Sequence, residues 1–241
     1  MEFDSIHDNL KDLLAKTGGK FNILEEQIDV EMQVEFFELA NKSLQEKNEE
    51  SDLSNSAKQF FDKQISDDLK KQLLVQLSNS KEVEHYRIIE KFIETAKLDL
   101  RSWAILALQH ARISLESDLL DEQQVFISTG LGGKGEMLRY FFAGKLKESE
   151  KFSSSQIHII ENEFDFWFAK NNAIIEKRDF FKKFFTLVAL IPIRVPISDI
   201  IKKSISEANN FGSFLHDQYL VTNVKILDID EINMYFKKKG V

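Results

Sequence analysis

The sequence predicts an α+β fold in two parts: antiparallel N-terminal helices packed on a C-terminal mixed sheet of about five strands, with helices on one face. Three observations predict it. Apolar residues recur at helical spacing as far as residue 119, and beyond residue 120 they begin to alternate with period two. Between these regimes, from Gln124 to Leu146, lie five of the nine glycines. The reading is therefore an acidic helical domain over 1–119 and an α+β domain over 120–241. No Pro-, Gly- or Ser-rich linker separates them, so a shared interface is expected.

Charge follows the same division. Residues 1–119 carry 24 acids against 15 bases, whereas 120–241 carry 16 against 17, so the net charge of -8 comes from the first half. An acidic surface argues against a nucleic-acid face there and leaves one open in the second half. There are no cysteines, which excludes a disulfide framework, a thiolate metal site and a cysteine nucleophile. Residues 1–20 lack the basic and apolar regions of a secretory signal, and the longest apolar run, Phe184 to Ile193, is too short to cross a bilayer. A cytoplasmic protein without membrane contact is expected.

Taken in order, Phe3, Ile6, Leu10, Leu13 and Leu14 predict a short helix over 3–16, stopped by Gly18 and Gly19. From Asn22 to Lys47 two patterns compete. Ile28, Val30, Met32, Val34 and Phe36 alternate as in a strand, while Leu24, Ile28, Met32, Phe36 and Leu39 follow a helix. Abundant Glu and Gln favour one long helix, with the strand over 28–37 left as the alternative. Residues 45–56 are too polar to repay ordering by burial and read as a surface connection. Three helices follow: Leu69–Leu77; Val83–Ala96, entered through Asn79 with Glu82 as a capping box; and Leu100–Ser117, entered by Asp99. Leu100, Trp103, Ala104, Ala107, Leu108, Ala111 and Leu115 form a broad apolar stripe, marking the last as the buried spine.

The leucine, arginine and small-residue spacing of Leu100, Arg101, Ala104 and Ala107 resembles that of HEAT-like helical repeats, over residues 68–119 only. The resemblance implies stacked helix pairs that offer a protein-binding surface. No second copy at a fixed period and no inter-helix proline accompany it, and generic helical packing explains the same residues.

Strands are predicted over Val125–Thr129, Met137–Leu146, Ile174–Phe180, Phe184–Ile193 and Tyr219–Leu227. Helices are predicted from the serine run 153–155 through Ala169, with Ile157, Ile160, Phe164, Trp167 and Phe168 inward, and from Ser198 to Asn209, closed by Gly212. The order is ββαββαβ. A last helix over Asp228–Lys239 opens with a capping box of Asp228 and Glu231.

Two segments carry candidate chemistry. TGLGGKG places Gly130, Gly132 and Gly135 in GxGxxG spacing after a strand, with Gly133, Lys134 and Arg139 completing a candidate anion site. The helix such a site needs is missing from the pattern that follows, and the phosphate-binding lysine position of a Walker loop holds Glu136. Glycines turning a hairpin are the preferred reading. The second segment, 176–185, interleaves Lys177, Arg178, Lys182 and Lys183 with Phe181 and its neighbours, a mixture suited to stacking bases and holding phosphates. A hairpin with lysines at its turn and phenylalanines in the core is the preferred alternative. His158, Glu161, Glu163 and Asp165 are the densest potential metal ligands but lack a second histidine motif, and no GxSxG is present.

No catalytic signature is complete, and no cofactor or metal is expected. The functional expectation is a non-catalytic adaptor or regulator that binds another protein. The alternatives are a nucleotide- or phosphate-binding protein using Gly130–Gly135, and an RNA- or ribosome-associated factor using residues 176–185.

Overall fold

The computed structural model describes residues 21–45, 60, 65–120 and 125–240. The helix expected over 3–16 and the connection expected beyond Gln45 lie outside the described residues. The chain divides into two compact units, Ile28–Phe126 and the described residues of Met1–Gln27 with those of Ile127–Val241.

The first unit is helical: α1 Val30–Gln45, α2 Asp67–Asn79, α3 Val83–Ile93 and α4 Leu98–Leu120. Over residues 28–37 the helix prevails, but it starts later than the long helix expected from Asn22. The Asp29 carboxylate accepts the Glu31 N–H at 2.7 Å and the Asp29 carbonyl accepts the Gln33 N–H at 3.1 Å, which opens the helix there. Gln33, Phe36 and Ala40 then form the buried face, while Val34, inward in the alternating pattern, is 51% exposed. Residues Phe21–Ile23 form β1 instead.

The spine is α4. Trp103, Ala104, Leu106 and Ala107 are fully buried, and α4 packs on α1, α2 and α3. The small alanines let neighbouring helices approach, while the Trp103 indole N–H donates to the Lys71 carbonyl at 3.1 Å and its ring meets Phe36 edge-on at 5.4 Å. The capping box expected ahead of α3 does not form. Asn79 ends α2 and donates to the Ala40 carbonyl, and the N-cap Glu82 makes no side-chain cap bond. Asp99 falls within the first turn of α4 rather than before it.

The second unit contains β3 Gly133–Lys134, β4 Met137–Lys145, α5 Ser154–Lys170, β5 Ile174–Phe180, β6 Phe184–Pro192, α6 Ile197–Asn209, β7 Leu220–Thr222 and α7 Ile229–Lys238, while β2 Val125–Ile127 spans the boundary between the units. The sheet runs β3-β4-β6-β5, with β7 also on β4. From β4 onward this is a βαββαβ chain with strand order 4-1-3-2, the split ferredoxin-like arrangement. The β3–β4, β4–β6, β4–β7 and β5–β6 ladders are all antiparallel, so the sheet is not the mixed one expected. A βαββαβ chain permits this because β6 enters between the strands of the first βαβ unit.

β6 explains the core. Its residues are buried on both sides, so neighbouring side chains feed opposite layers. Phe185, Leu187, Ala189 and Ile191 join Phe142 against Ile160, Phe164 and Phe168 of α5 and Ile200, Ile201 and Ile205 of α6. Phe184 and Val188 join Phe141, Ala143 and Leu220 against Ile232 and Phe236 of α7. Helices therefore cover both faces, not one. Ser153 with Gln156 caps α5 and Asp228 with Glu231 caps α7, each as a reciprocal capping box. The last strand is shorter than expected, because residues beyond Thr222 turn toward α7.

Candidate functional site

The glycine-rich segment is a hairpin with its amides occupied. Gly133 pairs with Leu138 and Lys134 with Met137, leaving Gly135 and Glu136 as a two-residue turn. Positive φ at Gly135 (+58°), and not at Glu136, matches a type II′ turn. The Gly132 N–H donates to the Thr129 carbonyl at 3.2 Å, that of Gly133 to the Glu25 carbonyl at 3.3 Å, and that of Leu131 to the Asn223 carbonyl at 2.9 Å. The Gly135 N–H donates to Glu25 Oε1 at 2.9 Å, so the carboxylate among these glycines is the chain's own.

Crowding explains the composition. A Cβ on Gly132 would lie 2.4 Å from the Glu25 carbonyl oxygen, and one on Gly130 would lie 1.8 Å from that of Val224. Close approach of backbone, rather than of a pyrophosphate, requires these glycines. Arg139 is likewise engaged: it holds both Glu176 carboxylate oxygens, at 2.5 and 3.1 Å, and donates to the Leu131 carbonyl at 2.8 Å. The hydrogen bond to Glu176 raises the guanidinium above its ordinary pKa. Lys134 is exposed beside the turn.

Of the acidic cluster on α5, Asp165 and Glu161 face Arg178, Asp165 in a short ion pair and Glu161 at 4.0 Å. Among the described residues no group of three His, Cys, Asp or Glu is placed to hold a metal ion.

The basic aromatic segment is the β5–β6 hairpin. Phe181 N–H donates to the Phe184 carbonyl at 2.8 Å, which puts Lys182 and Lys183 at the turn. Phe184 and Phe185 point into opposite core layers, and Phe180 stacks on Phe185. Lys177 pairs with Asp179 at 2.7 Å and Lys183 with Glu150 at 2.7 Å. Of the candidate residues Lys177, Arg178, Phe181, Lys182 and Lys183, the first two and the last thus face acids. Phe181 alone of these phenylalanines stays substantially in solvent, 38% exposed.

Phe181 leads to a feature that sequence reasoning did not find. Two cavities, ≈ 240 and ≈ 390 Å³, flank it and share Phe181 and Ile229 as walls. The smaller lies over Thr186 and Val188 and reaches Ile226; the larger is closed by Phe184, Lys183 and Asn233. Together they form a groove between the β5–β6 turn and the start of α7. Ile226 and Ile229 are 49% and 45% exposed, so Phe181 meets two large apolar residues from a distant stretch of the chain in solvent beside the terminal strand β5. The available signal was an apolar Ile229 directly after the Asp228 cap, at a position where a helix on a closed core would carry a polar residue.

No protein-family model matches the chain, and no curated protein matches it. Among solved structures, a crystal structure of a candidate transposase from Deinococcus radiodurans R1 superposes with a TM-score of 0.38 at 13% identity, covering 44% of this chain and 94% of that one. A likeness of that size carries no argument about function. Among the described residues, no helix is long and apolar enough to cross a membrane.

Proposed function

We propose that this chain is a non-catalytic, cytoplasmic adaptor or regulator that holds a protein partner in the groove between the β5–β6 turn and α7. The supporting observation is the convergence of Phe181, Ile226 and Ile229 on two adjoining cavities. Exposed apolar residues scattered singly need no explanation, but a contiguous set lining a concavity marks a contact surface. Strand β5, at the end of the sheet order, adds a backbone edge along which an extended segment can lie. The helical unit, in the part that resembles HEAT-like repeats, has a candidate contact surface of its own, with Leu69 and Val83 exposed.

The phosphate-binding reading is disfavoured, since the amides of Leu131, Gly132, Gly133 and Gly135 are spent within the chain. The RNA or ribosome reading retains one supporting observation, the exposed Lys182 at the hairpin turn beside Phe181.

Affinity capture from native lysate with the wild-type chain and with Ile229→Glu, read by mass spectrometry, tests the proposal. A protein recovered with the first and lost with the second, at an unchanged melting curve, supports it. Recovery that is indifferent to Ile229→Glu, or loss of all binding after nuclease treatment, would overturn it. A nucleotide panel covers the phosphate reading, because ligand at 100 times its Kd stabilises by about 2.7 kcal/mol.

A further inference from the structure

The larger cavity opens toward one end of the sheet, where β4 finishes and β6 begins, and that end is rich in lysine. Lys145 pairs in register with Phe184, and its ammonium lies 5.7 Å from the Phe184 ring and 5.6 Å from the Phe236 ring. Partial burial, with Lys183 nearby, lowers the Lys145 pKa. Lys145 and Lys147 in turn oppose the protonation of His216, adding to its burial, and the Lys147 ammonium donates to Ser213 Oγ at 3.0 Å. Lys182 and Lys183 close the same end at the hairpin turn.

Helix α7 extends this surface. Ile229, Asn233 and Lys237 follow one another at i, i+4 and i+8, so the helix face that walls the cavity continues into a lysine. Acids also stand here: Glu150 pairs with Lys183, Asp217 lies beside His216, and Asp179 and Asp228 line the smaller cavity, Asp179 in an ion pair with Lys177. Lys145, Lys147, Lys182, Lys183 and Lys237 outnumber them in a chain whose net charge is -8.

We propose that the groove recognises an acidic peptide segment of the partner. One large apolar side chain enters between Phe181, Phe184 and Ile229, and flanking carboxylates meet the lysines at the open end. The inference rests on the protein-binding reading above and adds its chemistry. Charge complementarity selects the occupant: crowded ammonium groups gain from an incoming carboxylate, and a desolvated apolar anchor supplies the affinity that rim charges alone do not. A nucleic-acid strand fits less well. It would ask for successive exposed aromatic faces, and the hairpin offers one, with Glu150 standing beside it.

Selection of peptides from a random phage-displayed library on the full chain tests this. The expected winners are net acidic with a conserved large apolar residue. Measured as synthetic fluorescein-labelled peptides, they should weaken at least tenfold when the acids become serine, and at least tenfold when the apolar anchor becomes serine. Ile229→Glu and, separately, Lys182→Glu combined with Lys183→Glu should each weaken binding at least tenfold. The three positions changed in these variants lie at the surface, and matching circular-dichroism melts exclude unfolding as the cause. Winners without excess acid, winners insensitive to both variants, or no enrichment at all would overturn the inference. So would an oligouridylate strand that binds the chain more tightly than the winning peptides and depends on the same lysines. The two levels separate cleanly: if lysate capture depends on Ile229 while the winners are not acidic, the partner chemistry fails and the protein-binding reading stands.

Discussion

Replacing Trp103 with alanine probes the centre of the helical unit. The indole is fully buried, meets Phe36 edge-on, lies under the Lys71 ammonium at 4.6 Å and donates to the Lys71 carbonyl. Truncating a buried Trp costs roughly 3–5 kcal/mol, from lost transfer energy and from the cavity left when neighbours cannot collapse. Loss of the indole donor adds about 1 kcal/mol by depriving the Lys71 carbonyl of a partner. Alanine's better helix propensity returns roughly half a kcal/mol. The expected loss is about 4 kcal/mol, a large share of the roughly 5–15 kcal/mol that holds a domain together. Urea unfolding followed by circular dichroism at the helical band is the assay. With a urea slope of about 2 kcal/mol/M, the midpoint of the helical unit should fall by about 2 M. A loss below about 1 kcal/mol would refute the reasoning, since surface substitutions and not spine truncations produce changes that small.

Three further outcomes follow from the same geometry. Gly132→Ala should destabilise by more than about 1 kcal/mol in thermal or urea melts, because alanine is strained at positive φ and its Cβ would strike the Glu25 carbonyl. Lys134→Ala, exposed beside the same turn, should change stability by less than about 0.5 kcal/mol and leave partner capture intact. His110, between Phe36 and Phe37, has its pKa lowered by burial, against an opposing hydrogen bond to the Ser78 backbone. Its folded state resists protonation, so stability should be full above the ordinary histidine value of about 6.5 and fall as pH drops from there through the folded-state value. His110→Gln should flatten that part of a stability-against-pH curve measured by urea titration.

The elements most legible in the sequence were those whose local signals agreed with their final surroundings. The α5 and α7 caps, the Trp103 stripe and the β5–β6 hairpin all combine a terminus signal with the right periodicity, and each forms where it was expected. Residues 22–37 were ambiguous because their apolar residues satisfy two periods at once. The decision fell to the Asp29 cap and to burial of a polar residue, Gln33, whose side chain donates to the Ile28 carbonyl at 2.7 Å. The sheet sense was not legible, since strand order depends on pairings such as Phe141 with Val188 that no local pattern encodes. The same limit hid the site. Glu25 fills the glycine hairpin from more than a hundred residues away, and the groove joins Phe181 to Ile226 and Ile229 across three intervening elements. Local composition therefore pointed to the glycines and lysines, whereas the tertiary fold assigns most of them internal partners and exposes an apolar concavity next to them.

Site-specific photo-cross-linking at Asn233, on the groove wall, tests the central claim most directly, with Met234, exposed on the adjacent face of α7, as the control position. A benzophenone side chain at Asn233 should capture a discrete protein on irradiation in native lysate, the same group at Met234 should capture far less of it, and excess acidic peptide selected on the chain should suppress the adduct. Equal labelling from both positions, or an adduct at Asn233 that ribonuclease digests, would contradict the account.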